Sequence, residues 1–191
     1  MAAQSKTAMV TTAAELFRRQ GYEATSWRQL VAESGAPAGS IGYHFPGGKE
    51  QLAVEVVVEA SNSTHDLIDA LLGSDEEPVE MMRRWIGASA RVLESSGYAN
   101  GCPLATMALE LAHRSDDVQQ QIAAGYDRWV ELLADRLEPT HGAVAHDTAV
   151  ILLSAFEGAL LLSRARRSTA PLDLLAERAL ELLGALQSAP G

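Results

Sequence analysis

From Lys49 to Leu72 the chain runs without a glycine or proline, and one side of it repeats at intervals of three and four. Leu52, Ala53, Val56, Val57, Ala60, Thr64, Leu67, Ile68 and Leu71 make the stripe. That spacing predicts a long helix with one buried face; a half-buried strand would alternate instead. Immediately before it, Pro46-Gly47-Gly48 breaks the chain sharply.

The same 3–4 spacing recurs elsewhere, and no strand pattern, internal repeat or low-complexity tract interrupts it. A first helix is expected over Lys6–Gln20, with Val10, Ala13, Ala14 and Phe17 inward and Gly21 at its C-terminal stop. A short helix over Trp27–Glu33, capped by Thr25 or Ser26, ends at Ser34-Gly35. A second short helix follows over Ala38–His44 after Pro37. Beyond the Lys49–Leu72 helix come a charged loop at Gly73–Glu77, a helix from Pro78, a loop at Ser95–Pro103 and a helix over Leu104–His113. A helix capped by Ser115 or Asp116 then runs to a break at Pro139–Gly142. An apolar helix over Ala143–Arg167 and a last one from Pro171 to about Leu186 precede a frayed SAPG tail. Hydrophobic residues are 47% and aromatics only 5%, with Ala and Leu dominant, which favours helices. The reading is an all-α chain of about nine helices: a three-helix head over residues 1–48 and a six-helix body over 49–191.

Cys102 is the single cysteine, so no intrachain disulfide framework exists and a reducing compartment is expected. The N-terminal stretch lacks a signal-peptide core. The longest apolar run, Ala149–Leu162, is interrupted by Ser154, Glu157 and Gly158, short of the roughly 18 residues a bilayer span needs. A cytoplasmic protein with no membrane partner is expected. The net charge of −10 argues against general nucleic-acid binding. It is unevenly placed: residues 1–50 carry Lys6, Arg18, Arg19, Arg28 and Lys49 against Glu15, Glu23, Glu33 and Glu50, leaving the head near neutral and the body acidic.

Two short helices joined by a glycine-containing turn cross steeply, so the second can lie in a DNA major groove. On this reading Ala38, Gly39 and Ser40 are small residues that let the helix approach the bases. Thr25 and Ser26 sit at the cap, with Arg28 beside them. Tyr43, His44 and Lys49 face phosphates, aided by the free N–H groups of the helix that Lys49 opens.

Thr25-Ser26 followed by SGAPAGSIGYHFPGGKEQL resembles the helix-turn-helix of the TetR family of transcriptional regulators, over residues 5–55. PGGKEQL, GCPLATMALELA and SAFEGALLLSRARRS are similar to its LmrA/YxaF-like branch. The resemblance implies a homodimer on a pseudo-palindromic operator, with an effector pocket in each body and release of DNA when the effector binds. Members of that branch tend to repress multidrug-efflux or related genes and respond to drug-like or polyphenolic ligands. Two positions depart from the family pattern. Gly42 stands where a bulky residue, often Tyr, is usual, and Ala38 stands where many members carry Lys.

In the body, Met82, Trp85, Met107, Tyr126, Trp129 and Phe156 could line an apolar pocket, with Asn62, His65 and Ser89 as its polar contacts. Packed core is the competing reading of the same stripe. Helix 143–167 is apolar nearly all round, and Leu152, Ala155, Phe156, Ala159, Leu160, Leu175 and Leu182 are the expected dimer surface. Such a dimer would set two reader helices about 34–36 Å apart. Glu110-x-x-His113 has the spacing of a di-iron ligand pair but occurs once, and neither His141 nor His146 has partners at ligand spacing, so no metal or other cofactor is expected. No nucleophile motif, P-loop or dinucleotide fingerprint appears, and no enzyme activity is expected. The rival reading is a helical small-molecule-binding protein with weak or lost DNA binding, which Gly42 and the acidic charge favour.

Overall fold

The structure, a computed structural model, describes residues 2–72 and 77–187, without the side chains of residues 2–4, 38, 180, 186 and 187. The loop expected at 73–77 therefore falls outside it except for Glu77, as do the SAPG tail and the side chain of Ala38. Among the described residues the fold is all-α. Its helices are α1 (Ala2–Gln20), α2 (Trp27–Ser34), α3 (Ile41–His44), α4 (Gly48–Leu72), α5 (Pro78–Ser95), α6 (Pro103–Leu111), α7 (Asp116–His141), α8 (Ala145–Arg166) and α9 (Ala170–Gln187).

Local chemistry sets the ends. Gly21 (φ +91°) stops α1, and its N–H returns to the Phe17 carbonyl at 2.9 Å. Ser26 is the N-cap of α2 and accepts the Gln29 N–H at 3.2 Å, while Gly35 (φ +65°) closes that helix on the Val31 carbonyl. The helix expected over Ala38–His44 is divided: Ala38–Ser40 form a 3₁₀ turn and only Ile41–His44 are α-helical. Gly39 and Gly42 weaken the helical preference of so short a segment. α7 continues through Pro139, where a break was expected. The proline lies in the last turn and removes a single ladder bond there.

The chain forms two compact units. Residues 1–63 and 102–126 make the first, and 64–101 and 127–191 the second. The units part within α4 and α7, whereas the sequence reading divides the chain at 48/49. In the first unit, Met9, Ala13, Leu16 and Phe17 of α1 pack with Leu30 of α2, with Phe45, with Leu52, Val56 and Val57 of α4, and with Met107, Leu111, Val118 and Ile122 from α6 and α7. In the second, α5 and α8 both pack on α9. Met81, Met82, Trp85, Ile86, Leu93, Leu133, Leu152, Leu172 and Leu183 are buried there, and Trp85 stacks on Phe156 at 4.2 Å.

Two expectations about α8 change. By length and composition, one window within residues 116–166 is apolar enough to cross a membrane, although none was expected; 44% of it is buried inside the chain. Leu152, Phe156, Ala159 and Leu160, expected on the dimer surface, are buried within one chain because α8 needs an apolar face against α5 and α9. Ala155, Leu175 and Leu182 are half-buried. The large apolar residues that α8 leaves exposed are Val150, Ile151, Leu161 and Leu162, and Leu174 is exposed on α9. They flank exposed Ser154 and Gly158, and a Cβ built at Gly158 meets nothing within 4 Å.

Candidate nucleic-acid interface

The surface expected to meet DNA lies wholly in the first unit. Phe45, 2% exposed, anchors the end of α3 in the core, beside the Trp27 ring at 5.9 Å. With that anchor set, the short helix turns Pro37, Gly39, Gly42 and Tyr43 outward, and Tyr43 is 77% exposed. Arg28, in the first turn of α2, is exposed as well.

Four expected contacts sit differently. Thr25 is 2% exposed and its hydroxyl donates to the Gly21 carbonyl at 2.8 Å, so it braces the α1–α2 loop. A buried hydroxyl needs an internal partner, and the loop carbonyl supplies it. His44 is 9% exposed, wedged between the rings of Tyr43 and Phe45, because the position next to the core anchor faces inward. The Ser40 hydroxyl turns back to the Pro37 carbonyl at 2.7 Å and toward the Met9 sulfur. Lys49 donates its ammonium to the Tyr22 carbonyl and lies over the Tyr22 ring at 4.1 Å. Burial pulls this ammonium below the usual lysine range, while Glu23 and Glu110 pull the other way. Burial also raises the Tyr22 phenol, reinforced by Glu23 and Glu50 and opposed by Arg114. Ser26 stays at the surface, its hydroxyl engaged as the cap.

Three residues not expected at the DNA surface build the support. Gln51 accepts the Gly47 N–H at 2.9 Å and donates to the His44 carbonyl at 3.3 Å, bracing the turn between α3 and α4. A glutamine in the first turn after Pro-Gly-Gly is a local signal that could have identified it. Glu110 of α6 accepts the N–H groups of Tyr22 and Glu23, and Arg114 pairs with the Glu23 carboxylate. Those contacts span more than eighty positions, and no local pattern announces them. At the start of α4 the Gly48 N–H is bonded to the Phe45 carbonyl at 2.9 Å, and the next N–H groups of the first turn have no acceptor within the helix itself.

The residues expected to line a ligand pocket divide between the units. Asn62, Met107 and Tyr126 belong to the first; Met107 is core, and the Tyr126 hydroxyl stands 3.7 Å from the Cys102 sulfur. His65, Met82, Trp85, Ser89, Trp129 and Phe156 belong to the second. There Met82, Trp85, Trp129 and Phe156 are buried, the Ser89 hydroxyl donates to the Trp85 carbonyl at 3.0 Å, and His65 lies 3.5 Å from Asp66. Two surface grooves of the first unit, about 310 and 400 Å³, involve none of these residues.

Residues 10–56 match the family model "Bacterial regulatory proteins, tetR family", and residues 78–178 match "Transcriptional regulator LmrA/YxaF-like, C-terminal domain". An HTH-type transcriptional regulator of Mycobacterium tuberculosis (strain ATCC 25618 / H37Rv) is 35% identical over 185 residues, 92% of each chain. The HTH-type transcriptional regulator YxaF of Bacillus subtilis is 32% identical over 176 residues, 91% of this chain and 92% of its own. Among solved structures, reduced E. coli NemR superposes with a TM-score of 0.83 at 19% identity, covering 93% of this chain and 97% of that one, a likeness of fold.

Proposed function

The chain belongs to the TetR family of transcriptional regulators with an LmrA/YxaF-like C-terminal domain, and from that membership we propose that it is a homodimeric repressor released from its operator by a small apolar or aromatic molecule. The observation that carries the reading is the orientation of α3. Phe45 and His44 are held in the core, while Pro37, Gly39, Gly42 and Tyr43 face solvent on a segment slim enough to enter a major groove. Arg28 and the first turn of α4 supply the phosphate contacts. The exposed stripe Val150, Ile151, Leu161 and Leu162, with Leu174 nearby, supports pairing of two chains, and exposed Gly158 leaves room for a partner helix. The effector binds in the body and favours a state whose two readers no longer match successive major grooves.

The rival, a ligand-binding protein without DNA binding, gains support from the inward placement of His44 and Lys49, which removes two phosphate contacts. A mobility-shift titration with the DNA upstream of the chain's own gene separates the two. A repressor gives a discrete shift that resists unrelated competitor DNA and weakens as salt rises. Absence of any shift, or one that unrelated DNA abolishes equally, contradicts it.

A further inference from the structure

Between Ser34 and His44 the chain reads Gly-Ala-Pro-Ala-Gly-Ser-Ile-Gly-Tyr, and that composition restricts how a base can be read. In the major groove guanine is recognised by a forked donor from Arg or Lys, and adenine by the amide of Asn or Gln. Thymine offers a C5 methyl group to an apolar surface. None of Arg, Lys, Asn or Gln occurs in this segment. Of its two hydroxyls, that of Ser40 is turned back to the Pro37 carbonyl, and only that of Tyr43 projects outward. Among the described residues of the segment, the Pro37 ring, the bare backbone at Gly35, Gly39 and Gly42, and the Tyr43 side chain face solvent.

The glycines add to this. A Cβ built at Gly39 or Gly42 would meet nothing within 4 Å, and neither has a positive φ, so the protein's own packing does not require glycine at either place. Their effect is outward: they let the helix backbone approach the base edges. The exposed cation nearby, Arg28, sits in the first turn of α2. In helix-turn-helix docking that helix crosses the phosphate backbone.

Resting on the regulator reading, we propose that each half-site is recognised by apolar contact of Pro37 and Tyr43 with thymine C5 methyl groups, and not by hydrogen bonds to guanine or adenine. Specificity then lies in where methyl groups stand along the groove. Arg28 and the α4 terminus set the register through phosphates without choosing a sequence.

The test uses the full chain and duplexes enriched from a random-sequence pool. In the best duplex each thymine is replaced singly by uracil, which removes only the methyl group. Each guanine is replaced singly by 7-deazaguanine, which removes the N7 acceptor. Affinities are read by fluorescence anisotropy at fixed salt. The proposal expects about a fourfold loss at each contacted thymine, the worth of one buried methyl-sized group. It expects no change at any guanine, and loss of the uracil effect at one position in the exposed-site variant Tyr43→Ala. Uracil tolerated throughout, or a roughly tenfold loss at a 7-deazaguanine, the size of a bidentate base contact, overturns it. A pool that yields no enriched sequence overturns the regulator reading itself.

Discussion

Glu110 stands so close to Gly21 that a Cβ at that glycine would lie 2.1 Å from the Glu110 Oε1. The carboxylate occupies this place because it accepts the next two backbone N–H groups, those of Tyr22 at 3.3 Å and Glu23 at 2.9 Å. Lys49 holds the Tyr22 carbonyl from the other side. The loop entering the reader is thus gripped by α6 and α4 together. Gly21→Ala places an L side chain at φ +91°, at a cost of about 1–2 kcal/mol, and drives Glu110 off its two donors, a further ~1–3 kcal/mol. Glu110→Ala alone forfeits only the second part. Urea unfolding of the two single variants and the double variant should show strong non-additivity, with Gly21→Ala much cheaper once Glu110 is gone. Additive costs would contradict the shared contact.

Gly42 behaves differently. It has ordinary helical backbone and open space around its missing Cβ. Gly42→Ala should raise stability by up to about 1 kcal/mol, the helix-propensity difference. A shift of the urea midpoint to higher concentration with unchanged slope would bear this out; a fall would show a steric constraint at that position.

Adjacent residues of α8 separate folding from pairing. Leu160 is 8% exposed and Leu161 is 61% exposed. Leu161→Glu should leave a folded monomer with wild-type helical circular dichroism, whereas Leu160→Glu buries an unpaired charge and should unfold the chain. Sedimentation velocity reads the first outcome. A dimer that survives Leu161→Glu at wild-type affinity would place the interface elsewhere.

Lys49 should titrate below the ordinary lysine value of about 10.4, because burial disfavours its charged form. The unfolded chain then binds more protons than the folded one between the two values. Stability therefore rises as pH climbs through that window, and the penalty of burying the ammonium is full below it. The chain has two lysines, Lys6 and Lys49, so a ¹³Cε titration resolves them. In Lys49→Met the corresponding gain in stability as pH climbs toward the ordinary lysine range should vanish; an unchanged pH profile would contradict the assignment.

The helices were legible wherever a residue's role is decided by its neighbours in sequence. The 52–71 stripe, a cap at Thr25 or Ser26 (Ser26 in the structure), the Gly21 and Gly35 stops and the Pro-Gly-Gly break all act within one or two turns. The site was legible in part. Pattern alone placed Tyr43 and Arg28 outward, but it could not separate His44 from Tyr43, since adjacent positions of a four-residue helix share no amphipathic record. Lys49 looked like a free cation because the Tyr22 carbonyl and ring that hold it lie across the α1–α2 loop. On α8, an apolar sequence on every side hid which stripe meets α5 and α9 and which stays exposed. That question is settled by tertiary packing and leaves no period in the sequence.

The proposed regulator depends on sequence-specific DNA binding through the α3 surface. Its most direct measurement is the ratio of dissociation constants for the chain's own upstream duplex and an unrelated duplex of equal length, at one fixed salt concentration, for the wild type and Tyr43→Ala. A preference of about a thousandfold or more for the upstream duplex, reduced by Tyr43→Ala without loss of fold, is the predicted result. Equal affinity for both duplexes, or a preference indifferent to Tyr43, would contradict it.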